Sequence, residues 1–214
     1  MSDANHSAIR HIVFDWGGVL QRTEDHAPRL ALDRELGLSP GSVERAVFAS
    51  EVWDRASRGA CAAVDLWRTL ADSVGYDHGI EGFVKRFFAG DRVDPRLVEL
   101  VENLRAAGYP VGLLSNAVPS LMVGERALGR WGQPGLFDVQ VFSYEVGVLK
   151  PHPRAYGVVL DAMGADPAET CFIDDSPANV RGARDAGMVA IRFAGVDALI
   201  ERLGDLGVQL GKDH

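Results

Sequence analysis

Polar side chains stand at the ends of three apolar segments of this sequence, "HIVF", "VGLL" and "CFI", and their types suit cation chemistry. In chain order they are Asp15, Ser115, Asn116, Asp174 and Asp175. Three carboxylates held close together would repel one another, and some would keep protons, unless a cation lay among them. Mg²⁺ is the ordinary choice, because it accepts one or two carboxylates and leaves room for water and a substrate phosphate.

Lys150, in "VLKPHP", would add a fixed positive charge beside that cation, and the two together would attract a phosphoryl group. The alternative is structural, since Asp and Ser often end strands as helix N-caps or turn formers. Ser176 fits that alternative, with Pro177 in the first turn of a helix. The order of four separate segments along one chain nevertheless favours the chemical interpretation for the others.

Helical and strand patterns alternate from about Val93 onward and would position these residues. In "DPRLVELVENLRAAGYPVGLLSN", apolar residues recur at i, i+3, i+4 and i+7 before an apolar strand. "PHPRAYGVVLDAMG" and then "ETCFIDDS" repeat this pattern, and a helix over 178–186 leads into "MVAIRF". We expect an α/β fold, a Rossmann-like doubly wound parallel sheet whose ligands gather at the carboxyl ends of the strands.

Residues 23–88 show a different pattern, with helical segments and no convincing strand. These segments are "RLALDRELGL", "SVERAVFASEVWDRAS", "AAVDLWRTLADSV" and "IEGFVKRFFAG". We therefore expect a helical insertion over 23–89 between two parts of one core domain, 1–22 and 90–214. Its aromatic residues are expected to form the core of the insertion, and they are Trp53, Trp67, Phe83, Phe87 and Phe88.

Composition narrows the class of protein. The 214 residues are 47% apolar and carry a net charge of -8 without a basic block, which disfavours a nucleic-acid partner. Neither a secretory signal nor a membrane span is visible, so a cytoplasmic protein is expected. Cys61 and Cys171 lack CxxC spacing, and Cys171 is expected to be a buried thiol. The oligomeric state cannot be read from these features.

Taken in order, "VFDWGGVL", "LLSNA", "GVLKPHP" and "FIDDSPANVRGARDAGM" resemble the motifs of the haloacid dehalogenase-like hydrolases, in particular phosphatases with a helical cap after the first motif. The resemblance implies Mg²⁺-dependent hydrolysis of a small phosphate ester. It implies that Asp15 is the nucleophile, forming an aspartyl-phosphate, and that Lys150 steadies the nucleophile and the phosphate charge. Ser115, with Asn116 beside it, matches the residue that hydrogen-bonds the phosphoryl group.

The implied metal ligands are Asp15, the carbonyl of Gly17, Asp174 and Asp175, with Asp175 the preferred direct ligand of the acidic pair. Gly17 is also where the sequence departs from the family, since the phosphatases usually carry there a second aspartate that acts as general acid and base. Its loss is expected to lower the rate by about 10² to 10⁴. An enzyme could tolerate that loss if its substrate had a leaving group that departs easily, as in an anomeric or acyl phosphate. It could also use an acid from the cap or from the substrate. Glu24 and His26 are nearby, but exposed loop positions are expected for both.

Two other functions stay open at this point. A dehalogenase would use the same aspartate to attack carbon and would need no metal, and the pair Asp174–Asp175 argues against it. A non-catalytic relative would keep phosphate and metal binding without turnover, as Gly17 permits. A dinucleotide-binding module is weaker, because "DWGGVL" lacks the GxGxxG spacing.

Overall fold

The computed structural model describes residues 8–121 and 135–210. Its strands are β1 (His11–Phe14), β2 (Gln21–Thr23), β3 (Asp91–Val93), β4 (Val111–Ser115), β5 (Val139–Phe142), β6 (Thr170–Asp174) and β7 (Val189–Arg192). Its helices are α1 (Ala27–Glu35), α2 (Ser42–Phe48), α3 (Glu51–Ser57), α4 (Ala63–Ser73), α5 (Ile80–Phe87), α6 (Pro95–Ala106), α7 (Ser143–Val146), α8 (Pro153–Met163), α9 (Pro177–Asp185) and α10 (Val196–Asp205).

Five parallel strands form the central sheet, in the order β5-β4-β1-β6-β7. Phe14 at the end of β1 pairs with Leu113 on one side and with Ile173 on the other. The residues that follow Phe14 and Ile173 therefore lie level at one edge of the sheet. This register brings the ends of the first and fourth predicted motifs together.

Helices cover both faces of this sheet, and the predicted doubly wound α/β fold is confirmed. On one face, α6 and α10 pack against the sheet, and the i, i+3, i+4, i+7 positions of α6 are all buried. On the other face, α8 and α9 pack against Val13 and Phe172. Because helices cover both faces of the sheet, the side chains on both faces of a central strand are apolar, and the strand is a continuous apolar run in the sequence.

Five helices, α1 to α5, lie between β2 and β3 and have an apolar cluster of their own, centred on Trp67, Phe83 and Phe87. The segment "SVERAVFASEVWDRAS", expected to be one helical stretch, is two helices, α2 and α3. They separate at Ser50, whose backbone is extended and whose hydroxyl accepts a hydrogen bond from Trp53 N. The serine thus caps α3 and breaks the run.

Three strands were not predicted. Strands β2 and β3 form a short antiparallel ribbon, in which Gln21 pairs with Val93 and Thr23 with Asp91. Strand β5 lies at the edge of the main sheet beside β4. The ribbon brackets α1 to α5 and leads the chain out of the central sheet and back to it.

None of the helices in the described ranges combines the length and the apolar character needed to cross a membrane. The cytoplasmic location expected from the sequence stays a prediction. Cys171 is buried as expected, and burial raises the pKa of its thiol to about 12.

Candidate active site

The register of the central strands places three of the predicted site residues at one edge of the sheet. The Asp15 amide donates to the Ile173 carbonyl over 2.9 Å, which extends the ladder by one residue beyond β1. Ser115 and Asp174 are the last residues of β4 and β6. All three are buried, so their polar groups act in a medium where charge interactions are strong.

Lys150 lies between the two buried aspartates. Its Nζ is 2.7 Å from Asp15 Oδ1 and 2.7 Å from Asp174 Oδ2, and its side chain is fully buried. Asn116 holds the lysine backbone, because its Oδ1 accepts from Lys150 N over 2.8 Å and its Nδ2 donates to Lys150 O over 3.0 Å. The Asn116 side-chain amide therefore positions Lys150.

The two oxygens of the Asp15 carboxylate differ in their surroundings. Oδ1 accepts hydrogen bonds from Trp16 N, over 2.7 Å, and is paired with Lys150. Oδ2 accepts no hydrogen bond from the part of the chain that the structure describes. Burial raises the pKa of Asp15 to about 7, with the negative charge of Asp174 adding to that rise and Lys150 opposing it.

A third carboxylate, Asp175, completes a group suited to a metal ion. One oxygen from each of Asp15, Asp174 and Asp175 lies within 4.8 Å of the others. Partial burial raises the pKa of Asp175, and the neighbouring charge of Asp174 raises it further. Such a set of close oxygens suits a hard divalent cation, so the group could hold the predicted magnesium ion.

Gly18 allows the close approach of Asp175 to the loop after β1. Its φ is +81°, and a Cβ at this position would lie 2.4 Å from Asp175 Oδ2. Gly17 differs, since a Cβ there would meet nothing within 4 Å. The position where the family usually carries its second aspartate thus faces open space.

Asn179 is a site residue that the sequence analysis missed. Its Nδ2 lies 3.1 and 3.0 Å from the two oxygens of Asp174 and so fixes that carboxylate. The only signal in the sequence was its place in "SPANV", five residues after Asp174. Ser176 occupies the N-cap position of α9 as expected, but its side chain makes no capping bond; instead its amide donates to Asp174 Oδ1 over 2.8 Å.

A cavity of about 370 Å³ opens next to these residues. Its lining includes Gly17, Gly18 and Asn116 from the strand ends. The other polar lining residues are Gln21, Arg22, Thr23, Arg29, Glu44 and Asp91, and the aromatic ones are Phe48, Trp53 and Phe88. The cavity therefore joins the strand ends to residues of α1, α2 and α3.

The aromatic residues expected in the core of the insertion divide into two groups. Trp67, Phe83 and Phe87 are buried, as predicted. Trp53 and Phe88 are only half-buried and line the cavity, so the prediction was incomplete for these two. Glu24 and His26 are exposed, as predicted.

The sequence also matches a known family of proteins. The family model for haloacid dehalogenase-like hydrolases matches residues 9–187, most of the chain. The chain belongs to this family of hydrolases. Membership and the hydrolase class, both expected from the motifs, are confirmed.

Relatives that are named as hydrolases match different shares of this chain. Bifunctional epoxide hydrolase 2 of Sus scrofa is 28% identical over 95% of this chain and 40% of its own length. Flavin mononucleotide hydrolase 1 of Arabidopsis thaliana is 39% identical over 74% of this chain and 63% of its own length. The chain spans 10% to 40% of the length of the epoxide hydrolases that it matches.

Among solved structures, a family enzyme from Bacteroides thetaiotaomicron in complex with magnesium and inorganic phosphate has a TM-score of 0.72. The match covers 88% of this chain and 96% of that chain at 22% identity. At that identity the likeness shows the fold.

Proposed function

We propose that this chain is a magnesium-dependent phosphatase that hydrolyses a small phosphorylated metabolite through an aspartyl-phosphate on Asp15. The observation that carries the proposal is the Asp15 carboxylate, which has one oxygen paired with buried Lys150 and stands among two further carboxylates. Several relatives are named as phosphatases, including the D-ribitol-5-phosphate phosphatase of Bacteroides thetaiotaomicron.

In the first step, Asp15 Oδ2 attacks phosphorus, a bond from that oxygen to phosphorus forms, and the bond to the leaving oxygen breaks. Lys150 holds Oδ1 and so directs Oδ2 toward the substrate. The Ser115 hydroxyl donates no hydrogen bond within the described part of the chain, and we assign it to a phosphoryl oxygen. Asn116 acts on the phosphate through the lysine that it positions.

The metal site comprises Asp15, Asp174, Asp175 and the carbonyl of Gly17. When bound, Mg²⁺ would neutralise negative charge that develops on the phosphoryl oxygens. Asp174 also accepts from Lys150 and Asn179, which keeps its carboxylate fixed, whereas Asp175 is exposed and is the preferred direct ligand of the ion.

In the second step, water attacks phosphorus, the bond to Asp15 breaks, and phosphate leaves while the proton passes to solvent. Gly17 supplies no acid for the first leaving group and no base for this water. The first step is therefore fastest for a leaving group that departs easily, as from an anomeric or acyl phosphate, whereas the second step is the same for every substrate.

The domain division fits the same proposal. Residues 23–89 would form a cap, and 1–22 with 90–214 the core that carries the catalytic strands. The cavity between them would take the leaving group, and the cap would exclude water from the phosphoryl group.

Phosphate release from p-nitrophenyl phosphate and acetyl phosphate, with Mg²⁺ and with EDTA, tests the proposal. We expect turnover with Mg²⁺ only, and loss of turnover in Asp15→Asn. Turnover that persists in EDTA or in Asp15→Asn would overturn it. Chloride release from 2-chloropropionate in EDTA would instead identify a dehalogenase, and magnesium-dependent thermal stabilisation without any turnover would identify a non-catalytic relative.

A further inference from the structure

The walls of the cavity carry an uneven set of charges. Glu44 and Asp91 are acidic, and Arg29 is the cation that both share. The other arginine of the cavity, Arg22, is already paired with Asp94, which lies outside the lining, with Nη2 2.6 Å from Oδ2. The two carboxylates of the lining therefore share one arginine, while the second arginine neutralises a carboxylate outside the cavity.

Arg29 is held rigidly and cannot turn toward a ligand. It is 4% exposed, its Nε donates to the Phe87 carbonyl over 3.1 Å, and its guanidinium lies 4.3 Å from the centre of the Phe87 ring. Its Nη1 donates to Glu44 and its Nη2 to Asp91, each over 2.9 Å. The planar Arg29 guanidinium is held by three hydrogen-bond acceptors and an aromatic ring, so it cannot reorient to bind a substrate.

The two acidic partners of Arg29 differ in whether a carboxylate oxygen is left to accept a hydrogen bond from a ligand. Asp91 also accepts from Thr23 Oγ1 over 2.8 Å and from Gln21 Nε2 over 3.1 Å, so both of its oxygens are occupied. Glu44 accepts through Oε1 only, and within the described residues its Oε2 has no hydrogen-bond donor. Its side chain is 38% exposed. Glu44 is thus the acidic group that can meet a ligand.

Three aromatic residues also line the cavity. Phe48 and Trp53 pack edge to face, with ring centres 5.0 Å apart, and Phe88 is the third. The faces of such rings carry partial negative charge, which attracts polarised C–H bonds. A carboxylate acceptor and aromatic rings that line one cavity suit a compound with hydroxyl groups on a carbon skeleton. The volume of about 370 Å³ is in the range of small-molecule sites, ~300–1,000 Å³.

We propose that the cavity takes a neutral, polyhydroxylated leaving group, and that Glu44 selects against leaving groups with a second negative charge. This inference rests on the phosphatase function proposed above. Glu44 accepts a hydrogen bond from a hydroxyl group of the leaving group. A carboxylate at the same place on the substrate meets like charge in a partly dehydrated cavity, which weakens its binding.

Pairs of substrates in which a CH2OH group of one is replaced by a carboxylate in the other test the proposal. We would measure kcat/KM with Mg²⁺ for glycerol 3-phosphate against 3-phosphoglycerate, and for sorbitol 6-phosphate against 6-phosphogluconate. The expected preference of the wild type for the neutral member is about tenfold or more. Where a compound binds without turnover, the same ratio is obtained from competitive inhibition of p-nitrophenyl phosphate hydrolysis.

Glu44→Gln removes the charge and keeps an acceptor for Arg29. We expect this variant to reduce the preference about tenfold, chiefly by lowering KM or the inhibition constant of the acidic member. Glu51→Gln, an exposed residue of α3 outside the cavity, makes the same charge change and is expected to leave the ratio unchanged.

The proposal is overturned by a wild type that prefers the acidic members, by competition from neither neutral compound, or by a ratio that Glu44→Gln changes less than twofold. Each of these results can occur in a protein that still hydrolyses p-nitrophenyl phosphate with Mg²⁺, and the phosphatase proposal then stands. Failure to hydrolyse any phosphate ester with Mg²⁺ overturns both proposals.

Discussion

At the residue scale, one lysine shared by two buried aspartates sets the charge state of the site. Lys150 compensates one negative charge, while Asp15, Asp174 and Asp175 together carry up to three. Burial therefore keeps the pKa of Asp15 raised, to about 7. A divalent cation would complete the compensation, and its binding must compete with a proton.

The first expectation concerns the pH dependence of Mg²⁺ binding. Because the Asp15 pKa is raised to about 7, the carboxylate is protonated below that pH and Mg²⁺ must displace the proton. Apparent Mg²⁺ affinity should rise with pH, by about tenfold per unit below pH 7, and should level off above it. Titration calorimetry at pH values below and above 7 measures this affinity. Asp15→Asn should bind more weakly with a much flatter pH dependence, whereas a wild-type affinity that does not change with pH would contradict this account of the site.

The second expectation concerns the missing aspartate. An added Cβ at Gly17 meets nothing within 4 Å, so the first side-chain atom of Gly17→Asp displaces no neighbour. We expect this variant to raise kcat for alkyl phosphates, whose leaving groups need a proton, by about 10² or more. Acetyl phosphate, whose leaving group needs none, should gain less in the first step.

Gly17→Asn is the matched control, because it has nearly the same size and cannot transfer the proton. Rates for alkyl and acyl phosphates in the three proteins measure the effect. An equal gain in Gly17→Asp and Gly17→Asn would show that proton transfer is not what the natural residue lacks.

At the scale of elements, the ribbon of β2 and β3 links the loop after Asp15 to the helices that follow. Trp16 Nε1 donates to Gln21 Oε1 over 2.6 Å, and Gln21 Nε2 donates to Asp91 over 3.1 Å. Asp91 in turn accepts from Arg29 of α1 over 2.9 Å. A continuous set of hydrogen bonds thus joins the nucleophile loop to the helical segment.

The third expectation follows from the burial of this arrangement. Arg29→Met removes the cation and leaves Asp91, whose side chain is 11% exposed, without its charge partner. Breaking a buried pair in this way should lower the free energy of unfolding by about 3–5 kcal/mol, measurable by denaturant titration. Adding Asp91→Asn should recover part of that loss, since the unpaired charge is gone.

Arg34→Met, on the exposed side of the same helix, is the control and should change the free energy of unfolding by less than about 0.5 kcal/mol. Equal effects of Arg29→Met and Arg34→Met would show that the ion pairs of Arg29 contribute nothing specific to the stability of the fold.

At the scale of the whole molecule, the sequence predicted what depends on local pattern. Buried strands such as Ile12–Phe14 are continuous apolar runs, and α6 has an unbroken helical period, so both were visible before the fold was known. The convergence of Asp15 and Asp174 followed from their places at strand ends, since parallel strands share a carboxyl edge.

What the sequence could not predict depends on partners far away in the chain. Strands β2 and β3 have three half-buried or exposed residues each and exist because they pair with one another. The alternation in "VQVF" of β5 is too short to identify an edge strand. Asn116 was placed near the site by its position, whereas Asn179 was missed. The contacts of the two amides with Lys150 and Asp174 come from the tertiary arrangement.

The central claim is that phosphate passes through Asp15 with the help of Mg²⁺. Acid quenching of the wild type during turnover of acetyl phosphate, followed by peptide mass spectrometry, tests it most directly. Because Gly17 supplies no base for dephosphorylation, the intermediate should accumulate, and we expect one phosphoryl group on the peptide that contains Asp15, with none in EDTA or in Asp15→Asn. A phosphoryl group on another residue, or labelling that persists in Asp15→Asn, would contradict the account.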